Sequence, residues 1–413
     1  MVKEHGFAEK DQRDIDSIVD MLRKERVIFL LGAGASAAAG LPTMTTFFRE
    51  EYGKEFVDSL AGGTDYRFGT QDVTEAERNQ TELLKMLFYL ASLRQTDVCY
   101  DLEVVFELIH EVEELLFEKV GASKKLMGLY KICETHPQSN FSDFRRYYEG
   151  GNKGINRWIE DLNKAIRTLR DRMYARYLIQ APSPQITGVW ETYEKVFSAC
   201  GIIAPVIFTT NYDTVFETLC NSEVMKYELV NGVKHKKLTR VFDLNSYLRE
   251  NVENPLYLFK MHGSVTWERK EKEILDYYPV RGEVQRVSIP TIGKPSAIVE
   301  PVLSKSESAP PFSHMYAIFE KVLREVRACV SIGFSFRDER LFDLLDGVLK
   351  DRHNLRLLCV APDDEYNSVQ GFDLNANIKK LVDKRKNAVW LKERFESGPL
   401  IRQIRENISL GVL

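Results

Sequence analysis

Four short strings in this 413-residue sequence carry residue types that could do chemistry. They are Gly32-Ala33-Gly34-Ala35-Ser36, Asn211-Tyr212-Asp213, His262-Gly263-Ser264 and Gly333-Phe334-Ser335. The first, read through Ala37, is G-x-G-x-x-A. Its glycines let a backbone turn tightly and approach a pyrophosphate, and a helix that follows aims free N–H groups and its positive dipole end at the anion. Ser36 suits a helix cap or a phosphate contact. The string is not a P-loop, because no Gly-Lys-Ser/Thr closes it. A dehydrogenase would add an acidic residue about 20 positions on, at the end of a second strand. Glu55 and Asp58 follow no strand-like run, which disfavours an ordinary nicotinamide-linked oxidoreductase. Dinucleotide binding is the functional reading of the loop; a tight turn that holds nothing is the alternative.

The elements that must position these strings are legible as apolar runs. Val27–Leu31 is β-branched and aliphatic without polar alternation, as expected of a parallel strand buried on both faces. It leads directly into the glycine string, followed by a short helix at 37–40 that Pro42 ends. Residues 204–209 lead into Thr210-Asn211-Tyr212-Asp213, residues 256–261 into His262, residues 328–332 into Gly333, and residues 355–360 into Ala361-Pro362. A short candidate lies at 297–300. Helical spacing marks residues 15–25, 102–120, 155–177, 312–326 and 338–350. Strands alternating with helices predict an α/β fold, a Rossmann-like doubly wound parallel sheet. In such sheets ligands bind beyond the carboxyl ends of the strands, so Gly32–Ser36, Asn211, Asp213, His262 and Ser335 are expected to converge on one crevice.

Between residues 50 and 195 strand-like runs give way to helical periods, read as a large helical insertion. The expected organisation is 1–49 and 196–375 for the sheet domain, 50–195 for the insertion and 376–413 for a C-terminal extension. Apolar residues make up 44% and charged residues 29%, and the net charge is −4, so disorder and a global basic surface for nucleic acid are both disfavoured. Arg167, Arg170, Arg172 and Arg176, and Lys234, Lys236, Lys237 and Arg240, are interleaved with acidic residues and read as solvated faces. A nucleic-acid role stays open. No signal peptide or membrane span is recognised, so a cytoplasmic protein is expected. The six cysteines fall at no zinc-knuckle spacing, so no metal is expected. His5, His110, His136, His235, His314 and His353 match no motif and read as structural or surface.

Taken together, GAGAS at 32–36 with GLP at 40–42, TTNYD at 209–213, MHGS at 261–264 and SIGFSF at 331–336 resemble the sirtuin superfamily. The resemblance covers residues 27–48 and 200–370, and is closest to a bacterial sirtuin-like branch that includes antiphage NAD-hydrolysing enzymes. Departures are equally clear. Deacetylase sirtuins carry Asp-Phe-Arg after their Gly-Ile-Pro, where this chain has Thr43-Met44-Thr45. They carry Gln-Asn-Ile-Asp in place of Thr210-Asn211-Tyr212-Asp213, and Gly-Thr-Ser in place of Gly333-Phe334-Ser335. Their four-cysteine zinc module has no counterpart in residues 265–295, which contain no Cys. These departures argue against protein deacetylation, while Asn211, Asp213 and His262 keep the residue types for cleaving the nicotinamide–ribose bond.

By this resemblance NAD is the substrate. Asn211 and His262 are the expected catalytic residues, Asn211 holding a ribose hydroxyl or the attacking water and His262 acting as general base. Gly32, Ala33, Gly34 and Ser36 would bind the dinucleotide, Asp213 the nicotinamide carboxamide, and Gly333 and Ser335 would line the adenosine side. The implied activity is NAD glycohydrolysis to nicotinamide and ADP-ribose, in a homo-oligomer, with size and layout like the sirtuin subunit that pairs with a HerA-type hexameric ATPase. Competing readings are an ADP-ribosyl or deacyl transferase and a non-catalytic NAD or ADP-ribose sensor. Structurally, a His after a strand also suits a cap or a core position, Asn211 with Asp213 also suits an Asx-turn opening a helix, and Gly333 with Ser335 also suits a plain βα turn.

Overall fold

The computed structural model describes residues 8–43, 46, 47, 50, 105, 106, 108, 109, 151–179, 181–222, 224–236, 239–270, 273–278, 296–298, 310–363, 368, 369, 372, 373, 375–395 and 398–410. Most of the expected insertion, and with it most of the helix read at 102–120, lies outside these residues. Val105, Phe106, Leu108 and Ile109 are helical and buried.

The elements run α1 (Glu9–Leu22), β1 (Val27–Leu31), α2 (Ala33–Ala37), α3 (Gly151–Tyr177), α4 (Pro184–Ala199), β2 (Val206–Thr209), α5 (Val215–Asn221), β3 (Glu228–Val230), β4 (Val233–Lys236) and β5 (Thr239–Phe242). A 3-10 turn (Leu244–Leu248) precedes β6 (Pro255–Lys260), β7 (Gly263–Lys270), β8 (Glu273–Asp276) and β9 (Ser296–Ile298). There follow α6 (Phe312–Glu325), β10 (Ala328–Ile332), α7 (Glu339–Asp351), β11 (Arg356–Val360), β12 (Ser368–Val369), β13 (Phe372–Asp373), α8 (Ala376–Lys384), β14 (Ala388–Leu391) and α9 (Gly398–Leu410).

Among the described residues, seven strands form one sheet in the order β14-β11-β10-β1-β2-β6-β3, and every pairing in it is parallel. The fold class is as the apolar runs predict. Strand β1 shows why its sequence does not alternate. Val27, Phe29 and Leu31 enter one hydrophobic core, whereas Ile28 and Leu30 enter another on the opposite face. Burying each such side chain contributes on the order of 1.5–3 kcal/mol. The first core is closed by Leu162, Ile166, Leu169 and Met173 of α3 and by Trp190, Tyr193 and Phe197 of α4. The ring of Phe197 meets that of Phe29 edge-on at 5.1 Å. The second core is closed by Ile15 and Ile18 of α1, by Phe319 and Val322 of α6, and by Leu345 of α7.

The chain leaves β1 through β2 and β6 on one side, then returns to lay β10, β11 and β14 on the other. The strand order reverses at β1, the place where doubly wound sheets open a crevice. Residues 376–413, read from sequence as an extension, supply α8, the edge strand β14 and α9.

Two expectations are corrected. The helix after the glycine string starts at Ala33, inside the string, and residues 38–40 form turns. The candidate strand at 297–300 does not join the parallel sheet: β9 pairs antiparallel with β7 in a second, five-stranded sheet of order β4-β5-β8-β7-β9. That sheet was not legible. Six of the eight residues of β7 are buried without alternation, and Glu268 is among them. No helix among the described residues is long and apolar enough to cross a membrane.

Candidate functional site

Parallel pairing fixes where each string begins. Leu31 of β1 stands opposite Ile332 of β10 and Thr209 of β2, and Thr209 stands opposite Lys260 of β6. The ladder continues past the strand ends: Gly32 N–H donates to Ile332 O (3.0 Å), Thr210 N–H to Leu31 O (3.1 Å), Met261 N–H to Thr209 O (2.8 Å) and Gly333 N–H to Val360 O (3.0 Å). Asn211 and His262 therefore leave adjacent strands two residues beyond the same rung. All four strings sit at the carboxyl end of the sheet.

The glycines serve a contact that the sequence did not reveal. A Cβ on Gly32 would stand 2.6 Å from Phe334 Cα, and one on Gly34 2.7 Å from Gly333 Cα. Gly333 has φ +59°, and its Cβ would fall 2.2 Å from Ala35 N. The loops after β1 and β10 thus pack backbone on backbone, which only glycine permits. Gly34 N–H donates to Gly333 O and Ala35 N–H to Gly32 O, both at 2.9 Å. The expectation that these N–H groups point freely at an anion gives way, at Gly32, Gly34 and Ala35, to bonds inside the protein. Phe336 in the second loop has φ +58°, unusual for an aromatic residue, and its carbonyl accepts from Asn377 Nδ2 at 2.9 Å.

Ser36, Asn211 and Asp213 form one buried cluster. Asn211 Nδ2 donates to Gly32 O (2.9 Å) and to Ser36 Oγ (2.8 Å), and Ser36 Oγ donates to Asp213 Oδ2 (2.6 Å). Asp213 Oδ1 accepts the Val215 N–H at 3.1 Å, the Asx-turn that opens α5. The turn and the cluster coexist, one on each carboxylate oxygen. Burial pushes the Asp213 carboxyl above its ordinary value; Lys260 and the Ser36 hydroxyl oppose the shift. Ser36, inside α2, thus bonds the Asp213 carboxylate rather than capping a helix.

Beneath Asp213 lies Lys260, buried at the last position of β6. Its Nζ bonds Asp213 O, Glu217 Oε1 (2.8 Å) and Ser264 Oγ (3.0 Å). Ser264 continues to Thr266 Oγ1 (3.1 Å), and Thr266 donates to Asp276 Oδ1 (2.7 Å), which ties the parallel sheet to the antiparallel one. Lys260 and Glu217 were missed by sequence reasoning. The signal was a lone lysine closing the apolar run LYLFK, since a charged group in a buried strand must be paired.

His262 sits at the corner where β6 ends and the chain reverses into β7, a reversal carried by Gly263 at φ +86°. The imidazole is 2% exposed. Its Nε2 lies 2.9 Å from the Tyr316 hydroxyl on α6 and 3.2 Å from Asp338 Oδ2, and Tyr316 donates to the same Oδ2 at 3.1 Å. Asp338 Oδ1 caps α7 by accepting the Leu341 N–H at 3.0 Å. The Arg340 guanidinium stacks 4.1 Å over the Tyr316 ring. The rings of Tyr212 and His262 have centroids 6.3 Å apart, which links the Asn211 loop to the imidazole. Tyr316 and Asp338 were also missed; the legible signal was an Asp directly before an amphipathic helix.

Ala33, Gly34 and Ser335 are half-buried at the same end of the sheet. Of the other histidines, His235 and His353 are exposed, and His314 is buried against Asp11 of α1. Lys234 and Lys236 pair with Asp243 and Glu273, and Arg176 with Glu50.

The class defined by this geometry is a doubly wound α/β protein with a buried Asn–Ser–Asp cluster and a His–Tyr–Asp cluster at the carboxyl end of its sheet. Residues 205–386 match the family model described as the SIR2-like domain, a span that runs from β2 to α8 and holds Asn211, Asp213, His262, Gly333 and Asp338. The glycine string lies before it. Among solved structures, the chain is similar to a Sir2 homologue, a serine-to-alanine mutant in complex with ADP-ribose. The identity is 10%, over 96% of this chain and 97% of that chain, with a TM-score of 0.35. No curated protein matches the chain.

Proposed function

We propose that the protein is an NAD glycohydrolase, cleaving the nicotinamide–ribose bond of NAD with water to give nicotinamide, ADP-ribose and a proton. The observation that supports this most is the placement of Asn211 and His262 two residues beyond one rung of the sheet, inside the segment matching a SIR2-like domain. The nicotinamide ring nitrogen is cationic in NAD and leaves as a neutral molecule, so no strong acid is needed. The site must tolerate a ribosyl cation, as glycoside cleavage requires, and orient a nucleophile. In this reading the Asn211 carbonyl oxygen receives a water or ribose hydroxyl, because both amide N–H groups are engaged by Gly32 O and Ser36 Oγ. His262 takes the proton. Asp213 holds the nicotinamide carboxamide, with Ala33, Gly34, Gly333 and Ser335 along the dinucleotide.

The test is release of free nicotinamide from NAD by the purified protein. Asn211→Ala and His262→Ala are each expected to lower turnover about 10²- to 10⁴-fold. Full turnover in both variants overturns the site. An intact wild type that binds NAD without releasing nicotinamide, also in its assembled form, supports a sensor instead. Transfer to an acyl peptide, assayed in parallel, tests the transferase alternative.

The resemblance extends this proposal to NAD depletion in antiphage defence, by a homo-oligomer working with a HerA-type ATPase. The mass of the purified particle, with and without such an ATPase, tests that extension.

A further inference from the structure

We propose that Lys260 is a positioning residue: its buried ammonium clamps the loop that carries Asn211 and Asp213 to the turn that carries His262. This rests on the reading of Asn211, Asp213 and His262 as the reacting site.

Lys260 is the last residue of β6 and stands opposite Thr209, the last residue of β2. It is 1% exposed, and Leu256, Leu258, Phe259 and Met261 beside it in the sequence are buried apolar residues. A charge in such a place is costly unless paired, and Glu217, 3% exposed, pairs with it at 2.8 Å. Stability is a weak reason for the pair, because apolar side chains of similar volume often replace a buried ion pair without loss. Geometry supplies a stronger one. An ammonium has three N–H donors and no acceptor. Lys260 Nζ directs them at three separate segments: Asp213 O in the loop after β2, Glu217 Oε1 on α5 and Ser264 Oγ at the start of β7. Asp213 lies two residues beyond Asn211, and Ser264 two residues beyond His262. One side chain therefore holds both strings just past the groups that react.

The main chain ties the same segments on either side of this clamp. Met261 N–H donates to Thr209 O at 2.8 Å, and Val265 N–H to Tyr212 O at 3.0 Å. Asn211 and His262 must keep a fixed separation to act on one ribose, and a displacement of about 1 Å costs on the order of a hundredfold in rate. The ammonium also acts on Asp213 by charge. Burial raises the Asp213 carboxyl, Lys260 is the strongest of the groups that oppose the rise, and Glu217 adds to it. The other groups facing this carboxyl are the Ser36 hydroxyl from α2, the Val215 N–H and the Tyr193 phenol from α4. As a carboxylate Asp213 only accepts, which suits it to take a carboxamide N–H.

Lys260→Met combined with Glu217→Gln removes both charges at nearly constant volume, so no unpaired ion is left in the core. In nicotinamide release from NAD, kcat is expected to fall about ten- to a hundredfold while KM changes less than about threefold. The acid limb of the kcat/KM profile is expected to move to higher pH, because at Asp213 the loss of Lys260 outweighs the loss of Glu217; Glu217→Gln alone moves it to lower pH. Hydrogen exchange of the Val265 amide, measured against Ile207 and Leu258 in the strands, is expected to speed by about tenfold or more in the double variant. Ser264→Ala keeps the ion pair and removes one tie, and is expected to lose a few-fold in kcat. It carries the test if the double variant does not fold.

A folded double variant with the kcat and acid limb of the wild type, while Asn211→Ala and His262→Ala are inactive, overturns the proposal and leaves the glycohydrolase reading intact. Unchanged Val265 exchange in the double variant also overturns it. Where the double variant does not fold, an unchanged kcat in Ser264→Ala does the same. A wild type that never releases nicotinamide, with Val265 exchange faster in the double variant, overturns the glycohydrolase reading and leaves the clamp standing.

Discussion

Gly333 illustrates how a residue's type can be plain in the sequence while its reason is not. The string SIGFSF suggested a turn beside a ligand, yet the nearest neighbour of a Cβ at Gly333 is protein backbone, Ala35 N at 2.2 Å. Its φ of +59° adds a second objection to any side chain. Gly333→Ala is therefore expected to lose at least about 2 kcal/mol, read as a lower denaturant midpoint, with any loss of activity following the loss of fold. A variant as stable as the wild type would show that the two loops do not touch as described. His262 is the converse case. Its motif was legible, but the partners that give it a direction, Tyr316 and Asp338, are 54 and 76 residues away in sequence. No spacing rule joins them.

Elements were legible in proportion to their apolarity. β1, β2, β6, β10 and β11 stood out because each is buried on both faces, and their order along the chain was enough to imply a parallel sheet. β7 and β9 were not, because burial of β7 depends on polar partners such as Asp276 for Thr266, supplied by another strand. The helices carry a test that needs no site. Gly188 in α4 and Gly347 in α7 lie within helices where an added Cβ meets nothing within 4 Å. Alanine at either is expected to raise stability by about 0.5–1 kcal/mol, because glycine loses more backbone freedom in a helix. Thermal unfolding of Gly347→Ala checks this; a lowered midpoint would mean a hidden neighbour at that face of α7.

At the scale of the whole molecule, buried carboxyls set how stability responds to pH. Burial raises the Asp213 and Asp276 carboxyls above the ordinary value of 3.8, against the pull of Lys260 and Arg240 respectively. For an acid raised in the folded state, the folded protein binds more protons than the unfolded one between the two values. The stability these groups contribute is thus present below 3.8 and lost as pH rises through the folded value. Asp16 and Asp346, held below 3.8 first by bonds from Lys321 and Arg385, act in the opposite sense. Asp213→Asn removes the ionising group and keeps an oxygen for Val215. Its melting temperature relative to wild type is expected to be higher at pH 7 than at pH 4. An offset that does not change with pH would show that Asp213 does not ionise at a burial cost.

From the sequence alone came the parallel sheet, the glycine turn and the residue types Asn211, Asp213 and His262, because a two-sided buried strand and a polar string at its end are local patterns. The tertiary structure decided which oxygen of Asp213 meets Ser36, which nitrogen of His262 meets Tyr316, and that two glycine loops close on each other. Those facts depend on sheet order and on helix placement across more than a hundred residues, and pairings between distant segments leave no period in the chain to read.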